Sequence, residues 1–172
     1  ERKGHHLMIR AMPAILQRHP NARLVIVGDG EMRGALEQLA RGQGVEASVT
    51  FAGAVPQPDL KQWYSAADVF VLASSREGWA NVLLEAMACG TPVVATAIWG
   101  TPEVVASPDA GALIPHRTSQ ALADGILGLL ERLPQREAVR AYAEGFSWRN
   151  TTDAQHALFT SLSGRVPRSR DA

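Results

Sequence analysis

The feature that most constrains this chain is an alternation. Short aliphatic and β-branched runs are separated, one after another, by segments with helical spacing. Arg23-Leu24-Val25-Ile26-Val27, Val49-Thr50-Phe51, Val69-Phe70-Val71-Leu72, Val93-Val94-Ala95 and Ala112-Leu113-Ile114 read as strands. Residues 5–18 place Leu7, Met8, Ala11 and Ile15 at helical spacing, with Pro13 a predicted kink. Glu31–Arg41, Asp59–Ala67 and Asn81–Ala88 read as further helices, and Pro102–Val105 as a helical turn. Three helices close the chain, over Ser119–Arg132 with Leu122, Ile126, Leu129 and Leu130 on one face, then Gln135–Glu144 and Ser147–Leu162. Continuous apolar strands mark burial on both faces, and strictly alternating strands and helices imply a mostly parallel sheet between helix layers. The expected fold class is therefore α/β, a Rossmann-like three-layer αβα domain.

At 172 residues the chain is long enough for one well-packed domain and short for two. That domain is expected over 1–162. The last residues, 163–172, carry Arg165, Arg168 and Arg170 among Ser, Gly and Pro and read as a disordered tail. Formal net charge is zero, which argues against nucleic acid as a main partner, because neutralising phosphates needs a basic surplus. Cys89 is the only cysteine, so no internal disulfide can form; it reads as a small buried residue. No apolar run approaches the roughly 20 residues needed to cross a bilayer, and no signal peptide is visible. Together with the single cysteine, this gives a cytoplasmic reading. The chain opens at Glu1-Arg2-Lys3-Gly4 without an initiator Met, which reads as a piece of a longer polypeptide.

Ligands of parallel α/β sheets bind beyond the carboxyl ends of the strands. The loop after the Val69–Leu72 run, Ala73 to Asn81, is long and polar for that position. Asn81 is a good N-cap, and the N–H groups of Val82 and Leu83 would then face the crevice as an anion site. Gly78 would let the backbone approach a ligand. Glu85 lies one turn up on the same face as Asn81, and Glu77 lies in the loop, so two carboxylates flank one helix start. A carboxylate accepts hydrogen bonds from two hydroxyls at once, which suits vicinal sugar hydroxyls. Taken singly, Glu77 reads as a surface charge complementing the helix dipole and Glu85 as a solvated helix face. Their combination with Gly78 and the crevice favours a nucleotide sugar.

The stretch Glu77-Gly78-Trp79-Ala80-Asn81-Val82-Leu83-Leu84-Glu85, continued by Gly90-Thr91-Pro92-Val93-Val94-Ala95 and Gly100-Thr101-Pro102-Glu103, resembles the E-x7-E signature of glycosyltransferase family 4. Lys3-Gly4, Val27-Gly28-Asp29-Gly30, Gly53 and Tyr64-Ser65-Ala66-Ala67-Asp68-Val69 match too, so the resemblance runs from Lys3 to about Phe159. It implies the C-terminal half of a GT-B fold, the donor-binding domain of a retaining glycosyltransferase. Glu77 would bond the donor sugar and face the reaction centre, and Glu85 would bind the nucleotide ribose. Val82 and Leu83 would offer N–H groups to the diphosphate, with Gly78 and Asn81 beside them. Lys3 would neutralise the leaving diphosphate, the task a metal performs elsewhere. Gly53 and Val55 would contact the nucleobase. The resemblance implies a UDP- or GDP-sugar donor and no metal; the sequence holds no Asp-x-Asp and no His/Cys cluster. It also implies an N-terminal acceptor-binding partner domain, through which any membrane association would come. The chain alone is expected to bind nucleotide weakly and to transfer nothing.

Three features depart from the family pattern. The arginine that partners the lysine belongs several residues upstream of Lys3, and Arg2 is given no role. Trp79 and Ala80 stand where Phe and a small residue or Pro are usual, and Trp99 stands where glycine is common. Each tryptophan reads either as plain packing or as shaping the sugar pocket. Among rival functions, an NAD(P)-binding oxidoreductase would use Gly28-x-Gly30-x-x-x-Gly34. Asp29 would then oppose a pyrophosphate, and the next strand lacks the expected acid. An epimerase or a starch or glycogen synthase of the same architecture is a second rival, disfavoured in the epimerase case by the paired glutamates. A pure binding module is a third.

Overall fold

The computed structural model describes residues 2–163. In chain order, α1 (His5–Arg18) leads to β1 (Leu24–Val27), α2 (Arg33–Gly42), β2 (Val49–Gly53), α3 (Leu60–Ala66) and β3 (Phe70–Leu72). Then follow α4 (Asn81–Ala88), β4 (Val93–Thr96), α5 (Thr101–Val104), β5 (Gly111–Ile114), α6 (Ser119–Leu130), α7 (Arg136–Glu144) and α8 (Trp148–Ser163). Each expected element is present, with ends shifted by a residue or two. Pro13 lies inside α1. The C-terminal tail, with Arg165, Arg168 and Arg170, lies outside the described residues.

All strand pairs within the sheets are parallel, as alternation requires. They form two sheets rather than one: β1 with β2, and β3–β4–β5 in that order. Successive strand side chains point to opposite faces, and β4 shows what this does to the core. Val93 and Ala95 join one apolar cluster with Leu83, Met87, Val104 and Val139, while Val94 joins another with Ile9, Ile114 and Leu122. Helices thus cover β4 on both sides, α1 and α6 on one face and α4, α5 and α7 on the other, which is the three-layer arrangement.

Burial on both faces holds for β4 alone. In β1 only Ile26 is buried, and Val25 is 43 % exposed. In β3 only Leu72 is buried. The difference follows from position in the sheets. β4 has a hydrogen-bonded neighbour on each side, whereas β1 and β3 each pair on one side only among the described residues. Cys89 is half-buried rather than buried, because it ends α4 at the surface.

The β4–β5 pairing depends on a glycine. Gly111 has φ 138°, and a Cβ there would overlap the Val93 carbonyl oxygen. Gly111→Ala should therefore lower stability by at least about 2 kcal/mol, read as a shifted urea midpoint. A midpoint equal to that of the parent would mean that the two strands can separate at no cost.

Candidate active site

The carboxyl end of β3 is where the chain start meets the middle of the sequence. The Arg2 carbonyl accepts the Ser75 N–H at 2.9 Å and the Ser75 hydroxyl at 3.5 Å. Arg117, between β5 and α6, donates Nε to the Ala73 carbonyl at 2.8 Å and a terminal nitrogen to the Arg2 carbonyl at 3.4 Å. Gly4, which begins α1, has φ 78°, and a Cβ there would overlap the Ala73 carbonyl oxygen. A side chain is therefore excluded twice, by conformation and by space. These ties hold Lys3 against the loop after β3, where its Nζ donates to Glu77 Oε1 at 2.6 Å.

The Glu77 side chain is only 13 % exposed and the Lys3 side chain 44 %. Burial pushes the Glu77 carboxyl up, but the Lys3 hydrogen bond, the adjoining Ser74 hydroxyl and the charges of Lys3 and Arg2 outweigh it, so the carboxyl sits below its ordinary value. The Ser74 hydroxyl is buried, and its contact with the carboxylate falls short of full hydrogen-bond geometry. His5 nearby is pushed down from its ordinary value, first by burial and then by the positive charges around it, His6 and Lys3 included.

The start of α4 differs from expectation. Asn81 is the first helical residue, Ala80 flanks it, and among the described residues no side chain caps the helix. The backbone does that work itself: the Asn81 N–H donates to the Trp79 carbonyl at 3.0 Å and the Leu83 N–H to the Ala80 carbonyl at 2.9 Å. Leu83, fully buried, thus has its N–H engaged, while Val82 is half-buried. The loop packs closely on α5: a Cβ on Gly100 would lie 2.5 Å from the Gly78 carbonyl oxygen, whereas a Cβ on Gly78 would meet nothing within 4 Å. Gly78 is exposed.

Glu85 sits one turn into α4, half-buried, and accepts the Tyr64 hydroxyl on Oε2 at 3.1 Å. A hollow of about 200 Å³ lies beside it, lined by Tyr64, Glu85, Gln57, Leu60, Lys61 and Cys89. A larger one, of about 740 Å³, is lined by Lys3, Gly28, Asp29, Arg33 and Phe51 among others. Gly53 (φ 76°) closes the end of β2 by accepting the Gly28 N–H at 2.8 Å, and Val55 follows, half-buried, in the loop before α3. The structure thus joins Lys3 to Glu77 and Gly28 to Gly53, and it joins Glu85 to Tyr64. Trp79 leans on Phe146, ring centroids 6.3 Å apart, and is 47 % exposed. Trp99 is 68 % exposed and has φ 46°, which explains why glycine suits that position.

Two residues of the site escaped the sequence reading. Tyr64 lay within a matched stretch, but its link to Glu85 spans 21 positions. Arg117 reaches partners 44 and 115 positions away. Its loop, Pro115–Thr118, lies beyond the carboxyl end of a strand, where ligands of such sheets bind, but nothing in the residues names its partners.

The model of the family described as glycosyl transferases group 1 matches residues 1–146, and the chain belongs to that family. It is 38 % identical to the D-inositol 3-phosphate glycosyltransferase of Corynebacterium aurimucosum over 96 % of its own length and 42 % of the relative's. Sucrose-phosphate synthase from Thermosynechococcus elongatus superposes with a TM-score of 0.79 at 30 % identity, covering 95 % of this chain and 43 % of that one. HepE of Anabaena, solved with UDP, superposes with a TM-score of 0.76 at 28 % identity, over 95 % and 46 %. The chain spans about two fifths of the length of the curated relatives it matches. Its fold is the Rossmann-like α/β arrangement of the GT-B glycosyltransferases. The dinucleotide reading of Gly28, Gly30 and Gly34 is not supported, because the family match covers that loop and a Cβ on Gly34 would meet nothing within 4 Å, so no close helix–strand packing requires that glycine.

The lowered Glu77 value carries a sign. Its pairing adds stability above the ordinary 4.5 and loses it as pH falls through the lower folded value. Lys3 is exposed enough for solvent to keep that contribution small. In a carbon-detected NMR titration, Lys3→Ala should move the Glu77 midpoint upward; an unmoved midpoint would show that the pair does not set it. Gly4→Ala should displace Lys3 and lower the melting temperature by several degrees. An unchanged melting temperature would refute the close approach of α1 to β3.

Proposed function

We propose that this chain is the donor-binding half of a retaining glycosyltransferase of family 4, one that transfers a sugar from a nucleoside-diphosphate sugar. The observation that carries the reading is the Lys3–Glu77 pair at the carboxyl end of β3, placed just ahead of α4. A half-exposed ammonium on a flexible stem can leave a carboxylate for a diphosphate at little cost. The carboxylate it leaves is then available to sugar hydroxyls. In this reading Lys3 neutralises the departing diphosphate and Glu77 bonds the donor sugar, with no metal. Glu85 holds the ribose, and Val82 with Leu83 stands behind the diphosphate, Val82 offering its N–H more directly than Leu83. Gly78 and Asn81 shape the loop, and Gly53 and Val55 lie beside the base. The UDP and UDP-glucose complexes of HepE, a protein of similar fold, support a nucleotide-sugar donor.

Residues 1–162 would form the donor-binding domain, with acceptor binding supplied by a further domain of a longer protein. That fits the family's relatives, which are more than twice as long as the part matched. The chain alone would bind nucleoside diphosphate and transfer nothing.

Calorimetric titration with UDP and GDP separates the two glutamates. Glu85→Ala should weaken nucleotide affinity by about tenfold or more, the loss expected for hydrogen bonds to a charged group. Glu77→Ala should leave affinity intact, because it frees Lys3, while transfer by the full-length protein falls by about a hundredfold or more. Equal loss of affinity in both variants, or sustained turnover by residues 1–172 alone, would overturn the assignment.

A further inference from the structure

The Tyr64–Glu85 contact joins two elements, α3 and α4, that otherwise frame an open hollow. Tyr64 is fixed from several sides. Its ring packs edge-on against Phe70 with centroids 5.4 Å apart. Its carbonyl accepts the Thr91 hydroxyl at 2.6 Å. Arg136 holds the end of α3 by donating to the Ser65 carbonyl at 3.0 Å and to the Ala67 carbonyl at 2.6 Å. Glu85 has no such mooring of its own: among the described residues its side-chain hydrogen-bond partner is the Tyr64 hydroxyl. A glutamate side chain left to itself samples several rotamers, and ordering it on binding carries an entropic cost. An ionised carboxylate only accepts hydrogen bonds, and a phenol donates one, so the direction of the contact is fixed.

We propose that Tyr64 is the positioning residue for Glu85, its hydroxyl holding Oε2 so that Oε1 is presented, already ordered, to the ribose hydroxyls of the donor nucleotide. This rests on the proposed role of Glu85. The hollow of about 200 Å³ that Tyr64 and Glu85 share is open beside the carboxylate, so a sugar ring can approach without Tyr64 leaving. Burial, then the Glu85 charge and hydrogen bond, push the Tyr64 phenol well above its ordinary value, so it remains a donor throughout the physiological range. The mechanism is preorganisation: Tyr64 need not touch the nucleotide to raise its affinity.

The test compares ribonucleotides with dideoxyribose forms, which lack the hydroxyls that Glu85 would hold. Tyr64→Phe keeps the ring on Phe70 and removes only the donor. In the full-length protein it should weaken UDP or GDP by about tenfold and leave the dideoxy counterpart of the same nucleotide unchanged. A merely structural role would weaken both alike, and that result would overturn the proposal, as would loss of neither. Glu85→Gln, measured alongside, separates two failures. If it weakens the ribonucleotide and Tyr64→Phe does not, the role of Tyr64 falls and that of Glu85 stands. If Glu85→Gln is silent, the ribose reading falls and the role of Tyr64 with it.

Discussion

The structure depends on β4 being closed to solvent on both faces. Val93, Val94 and Ala95 are fully buried, and they divide between two apolar clusters by pointing alternately up and down. Every helix layer packs against one side or the other of this strand. Its neighbour β5 can lie close only because Gly111 presents no side chain to the Val93 backbone. Burial of this kind supplies most of the stability of a small α/β domain, and it fixes the height of the loops at the strand ends.

The charged groups of the candidate site stand on that platform through backbone ties. Lys3 reaches Glu77 because Gly4 meets Ala73 and because Ser75 and Arg117 hold the Arg2 carbonyl. Glu85 is likewise steadied by Tyr64, which in turn is fixed by Phe70, Thr91 and Arg136. In both cases a charged side chain is supported by residues with no charge to contribute to the ligand, or with a charge spent on carbonyl oxygens. Such support decides where a charged group stands, and at a reacting centre misplacing a group costs more than weakening it.

Much of this was legible in the residues. The order of strands and helices followed from apolar runs and helical spacing, and α4 begins and ends at the residues expected. Glu77 and Glu85 stood out because their spacing brackets a helix start. The capping of α4 was misread for a physical reason: Asn81 has the right chemistry for a cap, but the Trp79 and Ala80 carbonyls form a tight turn that takes the N–H groups first. The division into two sheets was not visible either, since an apolar run says that a strand is buried and not how many neighbours it has.

The sequence by itself determined the α/β class, the parallel strands and a place among the glycosyl transferases of group 1, because periodicity and local motifs are written in consecutive residues. Only the tertiary structure decided that Lys3 pairs with Glu77, 74 positions away, that Arg117 anchors the chain start, and that Tyr64 holds Glu85. Those contacts arise where packed layers bring distant loops to one edge of the sheet, and no local pattern encodes which distant partners will meet there.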